Sequence, residues 1–235
     1  MSQLLLAVDT SGKNGGLALA RMAPEMGDIV VLEVVPLTGG AFSAQLVPQI
    51  SGVLKEHGYR KDDLGAFAVV NGPGSFTGLR VGLAAVKALA EALQKPIVAI
   101  SLLEAVAFGG PGAGRVLGVV DAGRGDVYSG EYEVESLVPL EARRIRERLL
   151  SLGEFLAESL QGDGLMKTVV TPDVVLADTI RGSGMRVELI EYPDSAAIAR
   201  IGWEQLRRGR TVRPEDLEAN YIRQSDAEIF SKPAG

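Results

Sequence analysis

The sequence is restricted first by what it lacks. Its 235 residues include no cysteine, one histidine and one tryptophan. Without cysteine the chain cannot form disulfides, use a thiol in catalysis or bind zinc through thiolates. The single histidine, His57, cannot supply a histidine pair for a metal. We predict instead that His57 ends a helix just before Gly58, where a cationic side chain interacts favourably with the helix dipole.

Basic residues and long apolar runs are also scarce. Lysine and arginine number 24 against 30 acidic residues, which gives a net charge of -6. A protein that binds many phosphates by itself is usually basic, so any role on RNA is expected to depend on a partner. The first nine residues have no cationic region and reach an acid after few apolar residues, which predicts a strand and not a signal peptide. No run is long enough to span a membrane, and a cytoplasmic location is the default expectation.

What is present is an alternation of strand and helix patterns. Apolar runs predict strands at residues 4–8, 16–20, 29–35, 66–70 and 96–100. A helical period predicts helices at residues 42–57 and 75–93. The first hundred residues are therefore predicted to form a β-β-β-α-β-α-β unit, which is a mixed sheet with packed helices of the α/β class.

A glycine-rich loop, Asn71-Gly-Pro-Gly-Ser-Phe-Thr-Gly-Leu-Arg80, joins a predicted buried strand to the second helix. Gly72 and Gly74 beside a proline give a tight turn, and Ser75 is predicted as the N-cap of the helix. Glycines next to a helix N-terminus admit either an anion or another stretch of backbone. Both interpretations stay open. The loop is not a Walker A motif, because no Gly-Lys-Ser/Thr follows.

The chain also contains an internal echo. Residues 4–13 have an apolar strand, Asp9 at its end, small residues, a base and a returning strand, and residues 117–126 repeat this order around Asp121. We interpret the echo as a duplicated unit with two aspartate-bearing hairpins facing one cleft. A chance likeness between two hairpins is the alternative. Both aspartates either hold Mg²⁺ and nucleotide or cap their turns through Asx-type hydrogen bonds.

The predicted helix at residues 75–93 is apolar or small over most of its circumference, so it needs cover on two sides. One side lies on its own sheet, and the other requires a neighbouring helix or a partner. Complete burial within one subunit is the alternative for this helix. For Arg80, the alternative is a position on a solvated helix face. The candidate partner interface on the two helices comprises Leu46, Ile50, Phe76, Arg80, Ala84 and Ala88.

Taken together, the motifs resemble a known family. The two aspartate hairpins resemble the layout of the actin, Hsp70 and sugar-kinase superfamily. The order of Ala-Val-Asp9-Thr-Ser, the glycine-rich loop and Val-Asp121-Ala-Gly-Arg-Gly-Asp-Val-Tyr128 resembles the bacterial TsaB (YeaZ) family of tRNA threonylcarbamoyladenosine biosynthesis proteins. The resemblance implies a two-lobed, duplicated RNase H-like fold. Its expected lobes are residues 1–104, to which residues from about 214 to 235 return, and residues 105–213.

The resemblance also implies a function. The family pairs with a catalytic paralogue, TsaD, and an ATPase, TsaE, which together transfer a threonylcarbamoyl group to N6 of adenosine 37 in tRNA. It implies a noncatalytic subunit that reaches tRNA through the complex and forms a homodimer when alone. No intrinsic cofactor or metal is expected, and ATP or ADP with Mg²⁺ is expected, if anywhere, at the interface of the complex. Candidate phosphate-binding positions are Asp9, Thr10, Ser11, Gly72, Gly74, Ser75 and Asp121.

Three further expectations complete the prediction. Phe42 stands where many family members carry histidine, so a histidine there is not essential in this chain. The basic runs at residues 143–146 and 207–210 are predicted on helix faces and helix ends, with a minor tRNA contact as the alternative. The rival functions are an ATP-binding small-metabolite kinase or ATPase of the same superfamily, and a metallopeptidase, for which the sequence has no His-Glu-x-x-His cluster.

Overall fold

The computed structural model describes residues 4–23, 28–138, 140–161 and 167–223. The first block of elements is β1 (Leu4–Asp9), β2 (Asn14–Ala23), β3 (Asp28–Thr38), α1 (Phe42–Glu56), β4 (Leu64–Gly72), α2 (Phe76–Leu93), β5 (Ile97–Ser101) and α3 (Leu102–Phe108). The second is β6 (Gly114–Gly123), β7 (Asp126–Leu137), β8 (Leu140–Ser151), α4 (Leu152–Ser159), β9 (Thr168–Thr171), α5 (Val174–Gly182), β10 (Arg186–Leu189) and α6 (Ser195–Arg207).

The two blocks form two five-stranded sheets with the same topology. The first sheet has the order β3-β2-β1-β4-β5 and the second β8-β7-β6-β9-β10. In the first sheet, β1 pairs antiparallel with β2 and parallel with β4. In the second, β6 likewise pairs antiparallel with β7 and parallel with β9. Because strand order and strand direction both repeat, the predicted duplication of an RNase H-like unit is confirmed.

The helices and sheets stack in five layers. Helices α1 and α2 cover the outer face of the first sheet, and their apolar side chains share one cluster with β1, β2 and β4. Helices α3 and α6 lie between the sheets in a second cluster. Helices α4 and α5 cover the outer face of the second sheet in a third. Each sheet is therefore buried on both faces, which explains why the parallel strands are continuous apolar runs.

The two inner helices connect the lobes. Helix α3 follows the first sheet in the chain but makes most of its contacts with β6 and β7. Helix α6 follows the second sheet but packs on β1 and β2, and a Cβ on its Gly202 would lie 2.5 Å from the Cβ of Ala68. The lobe bounds 1–104 and 105–213 stay a prediction. That division gives α6 to the second lobe, whereas this close glycine contact places it on the first sheet.

Local signals in the sequence explain the helix limits. Ser75 caps α2 by accepting a hydrogen bond from the backbone N–H of Gly78 at 3.2 Å, and Asp194 caps α6 through Ala197 at 2.8 Å. His57 is the C-cap residue of α1, and its ring lies 2.8 Å from the carboxylate of Glu33. The caps at Ser75 and His57 confirm the predicted start of α2 and the position of His57. The contact with Glu33 adds a structural partner for the histidine that the sequence did not reveal.

One expectation on the second half of the chain is wrong, and another extends beyond the described residues. The basic run at residues 143–146 lies on β8 and not on a helix, because the segment pairs antiparallel with β7 along its whole length. The returning C-terminal segment is described as far as Arg223, and the expectation for residues 224–235 lies outside the described residues. In the described ranges, no helix is both long enough and apolar enough to cross a bilayer.

Candidate functional site

A cleft of about 840 Å³ lies where the two sheets face each other. Its walls come from the β1–β2 turn, the glycine-rich loop and first turn of α2, the end of β6 and the residues before α5. Polar residues in the lining include Ser11, Lys13, Ser75, Asp121, Asp173 and Tyr192. Of the seven predicted phosphate-binding positions, Ser11, Gly74, Ser75 and Asp121 line the cleft, whereas Asp9, Thr10 and Gly72 are buried behind its wall.

The β1–β2 turn is held by its own polar groups. The carboxylate of Asp9 accepts hydrogen bonds from the backbone N–H of Ser11 at 2.8 Å and from its hydroxyl at 2.6 Å. Asp9 is only 3% exposed. Burial raises its pKa, and the hydrogen bonds from Ser11 act in the opposite direction. These contacts are those of an Asx-type turn, and they hold the buried Asp9 carboxylate behind Ser11.

Glycines let the first turn of α2 press against that hairpin. A Cβ on Gly74 would lie 2.4 Å from the carbonyl oxygen of Ser11, and one on Gly78 would lie 2.1 Å from that of Thr10. The backbone N–H of Ser75 donates to the carbonyl of Ser11 at 2.7 Å, and the Thr10 hydroxyl donates to the carbonyl of Gly78 at 2.8 Å. The space that these glycines provide is filled by the backbone of the β1–β2 turn.

The β6–β7 hairpin is arranged differently. Asp121 is exposed, and its carboxylate accepts a hydrogen bond from the backbone N–H of Gly123 at 2.9 Å. Gly123, Arg124 and Gly125 all have positive φ angles of 61–84°, which makes the turn compact. Asp126 then forms an ion pair with Arg223 at 2.7 Å. Of the two predicted aspartates, only Asp121 presents its carboxylate to the cleft.

The cleft has room for a nucleotide but not the charges that one requires. Its volume is within the range of small-molecule sites. The cationic side chain in its lining is Lys13, against the two acids Asp121 and Asp173. Asp173 is itself the N-cap of α5 and accepts from the backbone N–H of Leu176 at 3.0 Å. In the described part of the chain no group of three or more histidine or acidic residues is placed to hold a metal. The residues present therefore do not fit a tightly bound Mg²⁺-nucleotide within this chain alone.

The candidate partner face on α2 is exposed in part. Phe76 is 42% exposed, and Arg80, Ala84 and Ala88 are exposed along the same helix at every fourth residue. The guanidinium carbon of Arg80 lies 3.6 Å from the centre of the Phe76 ring. We call these four residues the α2 stripe. Because successive members are four residues apart, they lie on one side of the helix, and this side is directed away from the sheet.

Leu46 and Ile50 differ from the prediction. They are 1% and 5% exposed and belong to the apolar cluster beneath α1 and α2. Because the helical period turns both side chains toward β2 and β3, they support the surface from behind and are not on it in the single chain. On α1 the exposed apolar side chain is Val47, which is 58% exposed.

Sequence reasoning missed a polar network between the lobes. The carboxylate of Glu147 on β8 accepts hydrogen bonds from the hydroxyls of Ser101 and Tyr132 and from the amide of Asn220. Nearby, the amide of Gln205 donates to both carboxylate oxygens of Glu104, at 3.1 and 3.0 Å. Burial raises the pKa of Glu104 to about 7, and repulsion from Glu147 adds to the increase. Ser101, Glu104 and Asn220 are distant from Glu147 in the sequence, and only the fold brings them to β8.

The comparisons with known proteins agree with this geometry. A family model described as TsaD, tRNA N6-adenosine threonylcarbamoyltransferase, matches residues 34–228. The chain is 28% identical over 237 residues to the tRNA threonylcarbamoyladenosine biosynthesis protein TsaB of Escherichia coli (strain K12), an alignment that covers 95% of this chain and 96% of that protein. It is 36% identical over 141 residues to the protein of the same name from Bacillus subtilis (strain 168).

The extent of these matches differs. The Bacillus subtilis alignment covers 57% of this chain and 59% of the relative, so the chain spans less than two thirds of the length of that protein. Among solved structures, an uncharacterized protein with similarity to the peptidase YeaZ from Pseudomonas aeruginosa superposes with a TM-score of 0.72 at 26% identity. That superposition covers 94% of this chain and 100% of the other. Both curated relatives bear the name TsaB, whereas the family model bears the name of the transferase.

Proposed function

We infer the function of this chain from its family. The chain belongs to the TsaB/YeaZ family of tRNA threonylcarbamoyladenosine biosynthesis proteins. We propose that it is a noncatalytic subunit of the complex that modifies tRNA. In this proposal it binds a TsaD-like catalytic paralogue, works with a TsaE-like ATPase in the cytoplasm, and reaches tRNA through the complex. The observation that carries the proposal is the alignment to the Escherichia coli TsaB, which extends over 95% of this chain.

The cleft supports the noncatalytic role. In a phosphate-handling site of this layout, hairpin amides bind phosphates and the aspartates position a hydrated Mg²⁺. Here the carboxylate of Asp9 is buried against Ser11, and the glycines of the loop admit the β1–β2 turn. One of the two aspartates is thus committed to a structural role. Any ATP or ADP with Mg²⁺ is accordingly proposed to bind at the interface of the complex, where a partner supplies the missing groups.

The α2 stripe supports the choice of binding surface. Phe76 and the two alanines are apolar or small and exposed on α2, and Val47 is exposed on α1. An apolar helical face of this kind favours cover by another helix, and small side chains allow a close crossing. A second copy presents the same face, and a paralogue with the same fold has equivalent helices. We propose that the stripe binds the catalytic paralogue, and a second copy of this chain when the paralogue is absent.

Reconstitution tests the function directly. The chain is mixed with the TsaD-like and TsaE-like proteins of its own organism, ATP, tRNA and the threonylcarbamoyl adenylate that donates the group, and modified adenosine is measured by mass spectrometry. We expect modification to require this chain and the isolated chain to turn over no ATP at an enzymatic rate of about 1 s⁻¹ or more. Full modification without the chain, or such turnover lost on Asp9→Ala, would contradict the proposal.

A charged substitution in the α2 stripe tests the proposed interface. Ala84→Glu places a carboxylate in the centre of the α2 stripe, and burying it in a helix contact costs several kcal/mol, which is about a hundredfold or more in affinity. The matched control is Ala157→Glu on α4, an exposed helical alanine on the far side of the second sheet. Isothermal titration with the paralogue should show loss of binding for the first variant alone. Equal binding by both variants would place the interface elsewhere.

A further inference from the structure

We propose that residues 217–223 form a clasp between the lobes, and that the clasp positions Tyr221 as part of the surface that binds the catalytic paralogue. In this inference Asn220 and Glu147 are positioning residues, which determine partner affinity without contacting the partner. The inference rests on the proposed function, because it extends the same binding surface. It adds residues 217–223 to that surface. It also makes the affinity for the partner depend on how the two lobes are arranged.

The clasp is attached to the first lobe by backbone contacts. The backbone N–H of Asn220 donates to the carbonyl of Asn71 at the end of β4, at 2.7 Å, and the amide of Asn71 donates to the carbonyl of Glu218 at 3.3 Å. Leu217 is 5% exposed and belongs to the apolar cluster under α2. A Cβ on Gly72 would lie 2.8 Å from the carbonyl oxygen of Asn220, so a glycine is needed for the segment to lie this close.

The clasp is attached to the second lobe by charged groups. The side-chain amide of Asn220 donates to a carboxylate oxygen of Glu147 at 2.6 Å. The side chain of Glu147 is 6% exposed, and its other oxygen accepts from Ser101 and Tyr132, so its orientation is fixed. Hydrogen bonds to a buried carboxylate are stronger than those between neutral groups. Asn220 therefore bonds to β4 through its backbone and to β8 through its side chain.

Between these attachments the clasp presents an aromatic side chain. Tyr221 is 38% exposed, its ring centre lies 5.2 Å from that of Phe76, and its hydroxyl accepts a hydrogen bond from Arg80 at 3.1 Å. Tyrosine and arginine are the residue types most enriched where interfaces are strongest. Tyr221 thus extends the α2 stripe without a break, and this continuity identifies the occupant of the extended surface as the partner that binds the stripe.

A dependence on lobe arrangement follows from this geometry. If the lobes separate at the hydrogen bond between Asn220 and Glu147, the clasp is held to the second sheet by the ion pair of Arg223 with Asp126, and Tyr221 is positioned less firmly. Ordering the segment on binding then costs conformational entropy, which lowers affinity. A partner that contacts Tyr221 favours the closed arrangement by the same free energy, because coupling between two sites is reciprocal.

A double-mutant cycle tests the inference. We compare Asn220→Ala, Tyr221→Ala and the double variant in titrations with the TsaD-like paralogue, with Glu218→Ala as a control in the same segment, since Glu218 uses only its backbone carbonyl in the clasp. Each single variant should weaken binding by about tenfold. The double variant should bind no more weakly than Tyr221→Ala, because Asn220 acts by positioning Tyr221. The control should bind like the unmodified chain.

The outcomes separate the clasp from the proposed function. The positioning role would be overturned if the losses in affinity of the two single variants multiply in the double variant. It would also be overturned if Asn220→Ala binds normally while Tyr221→Ala binds more weakly. Normal binding by both single variants, beside loss of binding by Ala84→Glu, would overturn the clasp but leave the proposed interface intact. An unmodified chain that does not bind the paralogue would overturn both. Hydrogen exchange should also show faster exchange in residues 217–223 of Asn220→Ala with the rest of the chain unchanged.

Discussion

The two aspartate hairpins have the same place in the same topology and opposite environments. Asp9 ends β1, is 3% exposed and is bonded to Ser11, whereas Asp121 lies near the end of β6 and is exposed at the cleft. The difference comes from what packs on each hairpin. The glycine-rich start of α2 covers the first turn, and in the described residues no glycine contact of that kind covers the second. Duplication preserved the strand order while packing gave the copies different roles.

The outer faces of the sheets differ in a similar way. On the first sheet Leu6 lies opposite Leu19, and both are fully buried in an apolar cluster. On the second sheet Leu117 lies opposite Glu131, which is 3% exposed and forms ion pairs with Lys167 at 3.0 Å and Arg146 at 2.8 Å. A cross-strand pair on the outer face thus stabilises one lobe by apolar burial and the other by charge pairing, and only the second should respond to pH.

The largest expected effect breaks the contact that makes the hairpins different. Gly78→Ala forces the first turn of α2 and the Thr10 carbonyl apart, since the new Cβ would lie 2.1 Å from that oxygen. We expect a loss of at least about 3 kcal/mol in the free energy of unfolding, measured by urea denaturation. The control is Gly153→Ala in α4, where no atom lies within 4 Å and higher helix propensity should give a gain of about 0.5–1 kcal/mol. A small loss for Gly78→Ala would show that this glycine contact does not hold α2 against the first hairpin.

The next effect concerns charge in the second lobe. Lys167→Met removes one partner of the buried Glu131, and we expect a loss of about 2 kcal/mol at pH 7, moderated by Arg146. Burial acts to raise the pKa of Glu131, but Lys167 and Arg146 hold it below its usual 4.5. This pairing stabilises the fold above about pH 4.5 and is lost as the pH falls through the lowered pKa.

The cost of Lys167→Met should therefore shrink in acid, as measured by urea denaturation at pH 7 and pH 4. Leu6→Ala, in the first lobe, should cost about 2–5 kcal/mol with little dependence on pH. The exposed pair of Arg148 and Glu158 provides a charge control, since Arg148→Met should cost less than about 1 kcal/mol. Equal pH dependence for the leucine and lysine variants would remove the contrast between the sheets.

A smaller effect compares the aspartates directly. Asp9→Ala leaves the buried N–H and hydroxyl of Ser11 without their acceptor and should cost about 1–2 kcal/mol. Asp121→Ala should cost less than about 0.5 kcal/mol, because water can replace the exposed carboxylate at Gly123. Thermal unfolding of the two variants under identical conditions measures the difference. Similar losses would show that Asp121 also supports its turn.

The smallest expected effect lies between the lobes. The pKa of Glu104, raised to about 7 from 4.5, means that this side chain keeps its proton in the folded state over a range where the unfolded state releases it. Stability should therefore fall as the pH rises from about 4.5 to 7, and the cost is complete above pH 7. Glu104→Gln should therefore stabilise the chain more at pH 8 than at pH 5. A Glu218→Gln variant, on an exposed side chain, should be neutral at both values.

Much of this fold could be predicted from local sequence. The strands of the first hundred residues, the capped start of α2 at Ser75, the end of α1 at His57 and the repeated hairpin order all follow from periodicity, capping and glycine placement. The sequence predicts helix for the basic segment at residues 143–146, and it is a strand. Arg146 pairs with Glu131 on β7 and Arg144 with Glu147 on β8 itself, so no clear alternation of apolar residues marks the strand.

The sequence by itself determined the two units, their order and the family, because apolar period, turn glycines and motif spacing are local properties of the chain. Only the tertiary structure decided that Asp9 is buried and Asp121 exposed, that Leu46 and Ile50 lie in the core, and that α3 and α6 link the lobes. It also brought Asn220 to Glu147, 73 residues away in the chain. Such contacts depend on which surfaces pack together, and a pattern that specifies one helix face or one turn does not specify what covers it.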